Sequence, residues 1–519
     1  MFLLRTLITL LLIAGAVSLF SQDRWVMQYY GDVDAIGKYM TKSYDNGYLL
    51  IGKHGSNSVN YNWLIKTDVN GEILWEKTFG DSSTNIMFAD MAYNDLGDLY
   101  LVGLTGYYND ESYDPLIMKL NACGEKQWCK VFVEDGINFS NALAVTPDGG
   151  VVAILCQMGS IPFVDDICLA KFDIAGNLQW KYCYNSSDTA IYGDFAWDIT
   201  LASDGGFFIS GECNYQDPNN PSIGWVKPFY IKTDSLGNFE WETVIHKEVS
   251  DVGGVAWSSV LNPASNYYYS SLSHYYHPPF GDSPALLKMD TNGDVVDIYD
   301  LASLGSYGKM IEAKFITDTT IMASAVWGNI GRPKAVIIDT LGNIIHQANL
   351  LDNDRMAHTE VTFDNKLLFF TNMQDNNDQF DAYLFKLNQQ LESDTVYNQL
   401  FNYDSLCVGQ IVSDTIVQDG CGLIVGLEEM YVSDINNRNK ILIYPNPATN
   451  SFKLKSEMFE VKGASIEIFD LFGQKIKTIK ISNEQTKVEV NVKDWQKGLY
   501  LIQMQNKDGV VANGKVIVQ

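Results

Sequence analysis

Lys66-Thr67-Asp68-Val69-Asn70-Gly71-Glu72-Ile73-Leu74-Trp75 reads as the end of one strand, a tight turn through Gly71, and the start of a second strand carrying Trp75. The pattern returns. Lys119 to Gly124 leads to Trp128, Lys171 to Gly176 leads to Trp180, and Lys232 to Gly237 leads to Trp241. Weaker copies lie at Lys288 to Gly293, Asp339 to Gly342 and Lys386 to Asn388. The Asp or Asn of the turn falls at 68, 121, 173, 234, 290, 339 and 388. Strand-rich units repeating every ~50 residues build a propeller or an array.

Within each unit the sequence reads as four strands. Ile73 to Phe79, Ile86 to Tyr93, Asp98 to Leu104 and Leu116 to Asn121 are one set. A second turn recurs as Asp45-Asn46-Gly47, Asn94-Asp95-Leu96-Gly97, Pro147-Asp148-Gly149-Gly150 and Ser203-Asp204-Gly205-Gly206. Each copy precedes an apolar strand, which is a hairpin signal. Four-stranded units around a centre predict an all-β, seven-bladed β-propeller. An open solenoid would need capping repeats, and none is legible. Arg24 to Gly31 resembles Leu74 to Gly80 but lacks partners of its own. It is expected to supply the fourth strand of the last blade, in competition with Leu391 to Leu400. The two short turns fall on one face. The long connections Gly55 to Asn62, Gly106 to Asp114, Gln157 to Asp166, Cys213 to Lys227 and Ser273 to Ser283 share the other, where binding is expected.

The chain has 519 residues, 13% aromatic and 19% charged, with a net charge of −27. That charge excludes nucleic acid as a partner, because phosphate binding needs clustered Lys and Arg. Residues 1–21 read as a signal peptide: Arg5, an apolar run from Leu7 to Ala16, then small residues. No transmembrane segment is expected in the mature chain. Residues 22–394 are the expected propeller and 395–440 a polar linker. Residues 441–519 are expected to be a small immunoglobulin-like β-sandwich.

Eight cysteines in an exported chain suggest disulfides. The expected pairs are Cys123–Cys129, Cys156–Cys168, Cys183–Cys213 and Cys407–Cys421, with buried thiols the rival reading. No metal site is expected, since no CxxC spacing occurs and the six His stand apart from the Cys. Asp68 to Glu72 and Asp290 to Asp294 fail the EF-hand spacing and read as Asx-Gly turns.

The aromatic stretch Ser273 to Phe280 is the leading ligand candidate. His274, Tyr275, Tyr276, His277 and Phe280 could stack on a sugar or peptide, with Tyr107, Tyr108 and Trp225 as weaker candidates. No catalytic motif is legible, although propellers can scatter active-site residues over several blades.

The last domain carries Tyr444-Pro445-Asn446-Pro447, then Ile468 to Gln474 with Gly473, then Gly498 to Ile502 with Tyr500, and the terminal Gly514 to Val518 with Lys515. In these residues it resembles the type A sorting domain of the type IX secretion system. The resemblance implies passage through the periplasm and delivery by the type IX machinery and its sortase. It also implies a surface-attached or released product and a Bacteroidota-type source. The Asp-x-x-Gly-x-x-x-Trp element is also similar to the blade-docking motif of quinoprotein dehydrogenases, in which the tryptophan packs between blades. That motif has Thr where this chain has Asn70, Cys123, Ala175 and Leu236, so no quinone cofactor is expected. Together these readings describe an exported propeller that binds glycan or protein. A polysaccharide hydrolase or lyase is the alternative, and a surface scaffold a further one. Converging His, Arg and carboxylates in the central funnel would favour the enzyme.

Overall fold

The protein is described from a computed structural model. It covers residues 26–30, 35–56, 59–80, 84–107, 113–133, 137–158, 165–184, 194–216, 224–247, 252–276, 281–302, 308–327, 332–350, 358–374, 379–399, 401–416, 421–425, 442–444, 448, 450–455, 465–470, 474–481, 487–506 and 509–518. The chain divides into two units, Met1–Tyr431 and Val432–Gln519. The signal-peptide reading lies outside the described residues, among which no helix is long and apolar enough to cross a membrane.

In the first unit β1 (Val26–Tyr29) precedes a series of four-stranded sheets. The first is β2 (Ala35–Lys42), β3 (Tyr48–Ser56), β4 (Val59–Thr67) and β5 (Ile73–Phe79). The second is β6 (Thr84–Tyr93), β7 (Leu99–Tyr107), β8 (Asp114–Leu120) and β9 (Lys126–Val133). The third has a broken inner strand, β10 (Ile137–Phe139) and β11 (Leu143–Val145), then β12 (Val151–Met158), β13 (Asp165–Phe172) and β14 (Leu178–Tyr184). The fourth is β15 (Phe195–Leu201), β16 (Phe207–Gln216), β17 (Gly224–Thr233) and β18 (Phe239–Val244). The fifth is β19 (Val252–Asn262), β20 (Tyr267–Tyr276), β21 (Gly281–Met289) and β22 (Val295–Asp300). The sixth is β23 (Gly308–Thr317), β24 (Thr320–Trp327), β25 (Arg332–Asp339) and β26 (Ile344–Asn349). The seventh is β27 (His358–Val361), β28 (Leu367–Gln374) and β29 (Phe380–Leu387), completed by β1.

The first strands of these sheets touch in cyclic order: β2, β6, β11, β15, β19, β23, β27 and back to β2. That closed order is a propeller. β1 pairs antiparallel with β29, Val26 opposite Phe385. The N-terminal strand therefore closes the ring, and residues 391–399 of the competing stretch add no strand to that sheet.

The repeated turn owes its shape to its acid. Asp68 Oδ1 accepts from the N–H of Asn70 at 2.8 Å and of Glu72 at 2.9 Å. The same pair of bonds forms at Asn121, Asp173, Asp234, Asp290, Asp339 and Asn388. A side chain that mimics a backbone turn is what Asx residues supply. Six copies then place a left-handed Gly next, and the seventh uses Leu391 at φ 61.

The Gly also seats the tryptophan of the preceding blade. A Cβ on Gly176 would come within 2.7 Å of Trp128, and one on Gly237 within 2.8 Å of Trp180. Trp75 meets Gly124 and Trp241 meets Gly293 in the same way. In the fifth blade Asp297 stands at the tryptophan position, and Tyr299 packs on Gly342 instead. The expected inter-blade wedge is therefore what the structure holds.

In the first four blades the lysine that begins the repeat is buried and pairs with the acid at the other turn of its own blade. Lys66–Asp45, Lys119–Asp98 and Lys171–Asp148 each measure 2.8 Å, and Lys232–Asp204 2.7 Å. In the sixth blade the lysine is replaced by Ile337, which is buried as an apolar residue.

Of the expected linker 395–440, residues 395–399, 401–416 and 421–425 instead form a strap over the first two blades. Tyr397 exchanges two hydrogen bonds with Asn70, at 2.7 and 2.9 Å, and the Tyr403 hydroxyl accepts from Val69 N–H at 2.9 Å. β30 (Asp414–Ile416) then adds parallel to β5, and β31 (Gly422–Val425) adds parallel to β9.

All four expected disulfide pairings are corrected. The bonds are Cys123–Cys407, Cys129–Cys421 and Cys168–Cys183. Cys123 lies in the turn and Cys129 lies opposite Met118, so the hairpin keeps them apart. Cys156 faces Ile167 while Cys168 faces Leu155. Because side chains alternate along a strand, these two cysteines point to opposite faces. Cys168 lies directly across from Cys183. Cys156 and Cys213 are buried outside the three bonds. Sequence proximity misled because the strap, which carries Cys407 and Cys421, was read as free chain.

The second unit contains two sheets. One is β32 (Leu442–Tyr444), β33 (Ser451–Lys455) and β36 (Lys487–Asn491). The other is β34 (Ser465–Asp470), β35 (Lys475–Lys480), β37 (Gly498–Asn506) and β38 (Gly509–Val518). Phe452, Leu454, Ile466, Ile468, Val490, Ile502 and Val516 from both sheets share one core.

Candidate functional site

Five of the inner strands carry a β-bulge at the same place. The register steps over Lys38, Ala89, Trp197, Trp257 and Ile311. A bulge re-aims the side chains beside it. The residues that follow are Tyr39, Asp90, Asp198, Ser258 and Glu312. Four of these reach an N–H of the next inner strand. Asp90 accepts from Leu143 at 2.9 Å, Asp198 from Ser259 at 2.7 Å, Ser258 from Ala313 at 3.3 Å and Glu312 from Thr359 at 2.8 Å. Inner strands of adjacent blades share no ladder, so these N–H groups need side-chain acceptors.

The carboxylates so placed form the deep layer of the channel. Glu312 contacts Lys314 Nζ at 3.1 Å and His358 Nδ1 at 3.3 Å. The Tyr39 ring meets the His358 ring edge-on at 5.0 Å. Burial pushes Asp90 up to about 7, against the pull of the Leu143 N–H, and raises Asp198 as well. Burial would also raise Glu312, but Lys314, His358 and the Thr359 N–H together hold it at about 2. Lys314 stays above its ordinary range: burial opposes its charge, and Tyr39, Glu312, Glu360 and Asp198 outweigh it.

Toward the long-loop face the lining changes character. Phe139 stacks on Phe195 at 6.4 Å, Phe195 on Trp197 at 6.3 Å, and Trp197 meets Trp257 at 5.2 Å. All four rings are half-buried. They form a continuous aromatic wall over three blades. Lys309 Nζ lies 4.5 Å above the Trp257 ring, and Trp257 Nε1 donates to Ser273 Oγ at 2.7 Å. Glu212, opposite Phe195 in the ladder, is pushed up to about 7 by burial, with the Trp197 indole opposing. Asp282 is raised by burial against the attraction of Lys309, and Lys309 is lowered by burial against that of Asp282. Tyr275 sits directly opposite Asp282, its hydroxyl pushed up to about 12 by burial, with Asp282 adding to the rise.

The structure splits the expected aromatic loop. Ser273 to Tyr276 belongs to β20, so neighbouring side chains point to opposite faces. Tyr275 reaches the mouth. His274 turns away, 4% exposed, with Nδ1 3.1 Å from Asp300 and its ring stacked on His246 at 5.1 Å. Lys227, also buried, donates to His246 O at 3.0 Å. His274 is thus packed between the fourth and fifth blades and takes no part in the mouth. Tyr276, Tyr107 and Trp225 lie in strands with side chains outside the described set, and His277, Phe280 and Tyr108 lie outside the described residues. Sequence reading missed Phe195, Trp197 and Trp257, yet a signal was present: Phe195-Ala196-Trp197-Asp198 and Val255-Ala256-Trp257-Ser258 occupy equivalent inner-strand positions.

In the second unit Tyr444 and Lys515 fall in β32 and β38, and Gly498 begins β37. The Tyr500 hydroxyl donates to Gln496 O at 2.8 Å. Pro445, Asn446, Pro447 and Gly473 lie outside the described residues.

No curated protein matches the chain. Among solved structures it is similar to a protein of unknown function from Bacteroides caccae, at 11% identity and TM-score 0.36, covering 61% of this chain and 94% of that one. It is also similar to the periplasmic gluconolactonase of Pseudomonas aeruginosa, at 9% identity and TM-score 0.41, covering 73% and 98%. A third is the Penicillium chrysogenum alpha-L-arabinanase complexed with arabinobiose, at 13% identity and TM-score 0.36, covering 59% and 98%. Likeness at this level says nothing of what this chain binds or does. Residues 442–519 match the family model described as the secretion system C-terminal sorting domain. The second unit is therefore a sorting domain of the type IX secretion system, and it directs the chain to the cell surface or to secretion.

Proposed function

We propose that the exported propeller binds a glycan at the long-loop mouth of its channel. The wall of Phe139, Phe195, Trp197 and Trp257 supports this reading. Pyranose rings present flat C–H faces that pack on aromatic rings. Their hydroxyls need convergent polar groups, and Glu212, Asp282, Lys309 and Tyr275 stand beside the wall. Residues 1–21 then act as the signal peptide in a Bacteroidota-type source, and the sortase of the secretion machinery processes the tail.

The test is a glycan panel with the mature chain, followed by calorimetry on Trp257→Ala and Trp197→Ala. Each variant is expected to lose at least tenfold in affinity. Absence of any glycan ligand, or full affinity in both variants, defeats the reading. A hydrolase is the second reading, favoured by the position of Glu212 near pH 7, where a carboxyl can donate a proton. Glu212→Gln separates the two by turnover: it abolishes cleavage of a bound glycan in an enzyme, whereas a binding protein cleaves none before or after the substitution.

A further inference from the structure

The strap shows what the short-turn face does with a polypeptide. At the seam between the first and second blades, Asp45 Oδ2 accepts the backbone N–H of Asp404 at 2.9 Å. The Asp404 carboxylate receives Lys66 Nζ at 3.4 Å and Trp75 Nε1 at 3.2 Å. Leu406 packs on the blade-two turn, where a Cβ on Gly97 would lie 2.9 Å from its Cδ1. What remains open in that seam, lined by Lys66, Trp75, Gly97 and Ala122, is about 10 Å³. Beyond the seam the strap adds β30 to the edge of β5.

The repeats put the same parts at the seam between the fourth and fifth blades. Lys232, Trp241 and Asp204 stand where Lys66, Trp75 and Asp45 stand, and Asn266, with φ 56, stands at the left-handed position of Gly97. Here the groove is open, with a volume of about 610 Å³. The Tyr268 ring stacks on Phe208 at 3.9 Å and the residue is 0% exposed. Tyr268 belongs to the groove lining, and among the described residues its buried hydroxyl has no hydrogen-bond partner. β18 also carries no fifth strand among the described residues, so the edge equivalent to β5 is free to pair.

One difference sets the charge of the ligand. Lys232 Nζ is already held by Asp204 at 2.7 Å and by Glu240 at 2.8 Å, and Trp241 Nε1 donates to Thr291 O at 3.2 Å. The donors that grip Asp404 in the first seam are therefore spent in this one. Two carboxylates, Asp204 and Glu240, face one lysine, so the groove is net negative. It has a tryptophan wall, a buried hydroxyl and carboxylate acceptors, but no uncommitted cation.

We propose that the seam between the fourth and fifth blades is a docking groove for an extended polypeptide segment of a partner, bearing a basic side chain where the strap bears Asp404. The basic group lies between Trp241 and the Asp204 and Glu240 carboxylates. The partner backbone follows the course of the strap and continues as a parallel strand on β18. This mode combines strand addition with a side-chain anchor. The attraction between net opposite charges also speeds encounter. The groove lies on the face opposite the aromatic mouth, so this proposal stands whether or not the glycan reading survives.

The test uses the full chain and two labelled synthetic peptides of the 397–407 sequence. Both carry Cys407→Ser, and one also carries Asp404→Lys. Fluorescence anisotropy is expected to show the Asp404→Lys peptide binding at least tenfold tighter, with the preference shrinking as salt rises. Glu240→Gln in the protein should weaken that peptide about tenfold, the change that 1.4 kcal/mol makes. Asn292→Lys, an exposed substitution that leaves Lys232 and its partners in place, should abolish binding with no change in unfolding temperature. Equal affinity of the two peptides, no binding by either, or full binding to both protein variants overturns the proposal. Displacement of the bound peptide by a neutral oligosaccharide would also overturn it, by assigning the groove to sugar.

Discussion

Trp75 Nε1 donates to the carboxylate of Asp404 across 3.2 Å, although 329 residues separate them in sequence. The bond joins the wedge between the first two blades to the strap that covers it. Asp404→Ala leaves the indole N–H unpaired and removes one of the two acids beside the buried Lys66. The expected loss is ~1–3 kcal/mol, the cost of an orphaned buried donor. Urea unfolding measures it, and an unchanged midpoint would show the contact to be dispensable.

The disulfides should rank by the chain they enclose. Cys129–Cys421 spans 292 residues, Cys123–Cys407 spans 284 and Cys168–Cys183 spans 15. A longer loop restrains the unfolded chain more, so breaking the two strap bonds together should cost roughly 5–6 kcal/mol or more, against ~3 kcal/mol for the short one. The double variant Cys407→Ser with Cys421→Ser, compared with Cys183→Ser by denaturant titration, tests the order. A larger loss at Cys183 would reverse it.

Lys314 is the counter-charge of a half-sequestered ionic group. Replacing it with Met leaves Glu312 with only the His358 ring and the Thr359 N–H, and the expected cost is ~3–5 kcal/mol. Adding Glu312→Gln to Lys314→Met should recover part of that loss, because the stranded carboxylate is then gone. A double variant as unstable as the sum of its parts would argue against coupling.

Asp90 gives the channel a pH signature. Its carboxyl is raised to about 7 in the folded chain, mainly by burial. An unfolded Asp titrates near ~3.9. Between those values the folded chain holds a proton that the unfolded chain has lost, so stability falls as pH rises through that window. The full effect is on the order of 2–4 kcal/mol. At lower pH the sign reverses. Asp148 and Glu312 are held at about 2, and their contributions vanish as acid protonates them. Asp90→Asn should flatten the profile between roughly pH 4 and 7 and leave the acid limb. An unchanged slope in that variant would assign the effect to other groups.

Removal of residues 442–519 should leave the propeller folded and strand it inside the cell envelope. Fractionation with an antibody to the propeller decides this. Normal secretion of the truncated chain would contradict the role of the tail.

The ring was legible because its parts repeat. Asp68 and its counterparts, the following Gly and the Trp wedge recur in register, and repetition turns a weak turn signal into an architecture. The lysine of each repeat was visible as a letter, but its partner lies on another hairpin, so the Lys–Asp pair emerged only in three dimensions. The aromatic mouth was largely missed. Trp197 is a bulge residue, and a bulge breaks the two-residue alternation by which strand faces are read. His274 was misplaced for the complementary reason: a run of aromatic residues looked like a loop, while the ladder with Ser283 and Gly254 makes it strand. The strap was read as a linker because its contacts are with residues some 330 positions earlier, which no local pattern reports.

The strap also fixes how the molecule bears tension. A pull on the chain from its C-terminal side enters the propeller at β31, which lies parallel to β9 and loads its hydrogen bonds together in shear. The next element reached is Cys421, covalently tied to the second blade, and behind it Cys407 ties the same blade again. The force path therefore ends in covalent bonds on one wedge-locked blade. The seam where β1 meets β29, held by hydrogen bonds, lies off that path, so a propeller tethered by its tail can be dragged without being unzipped.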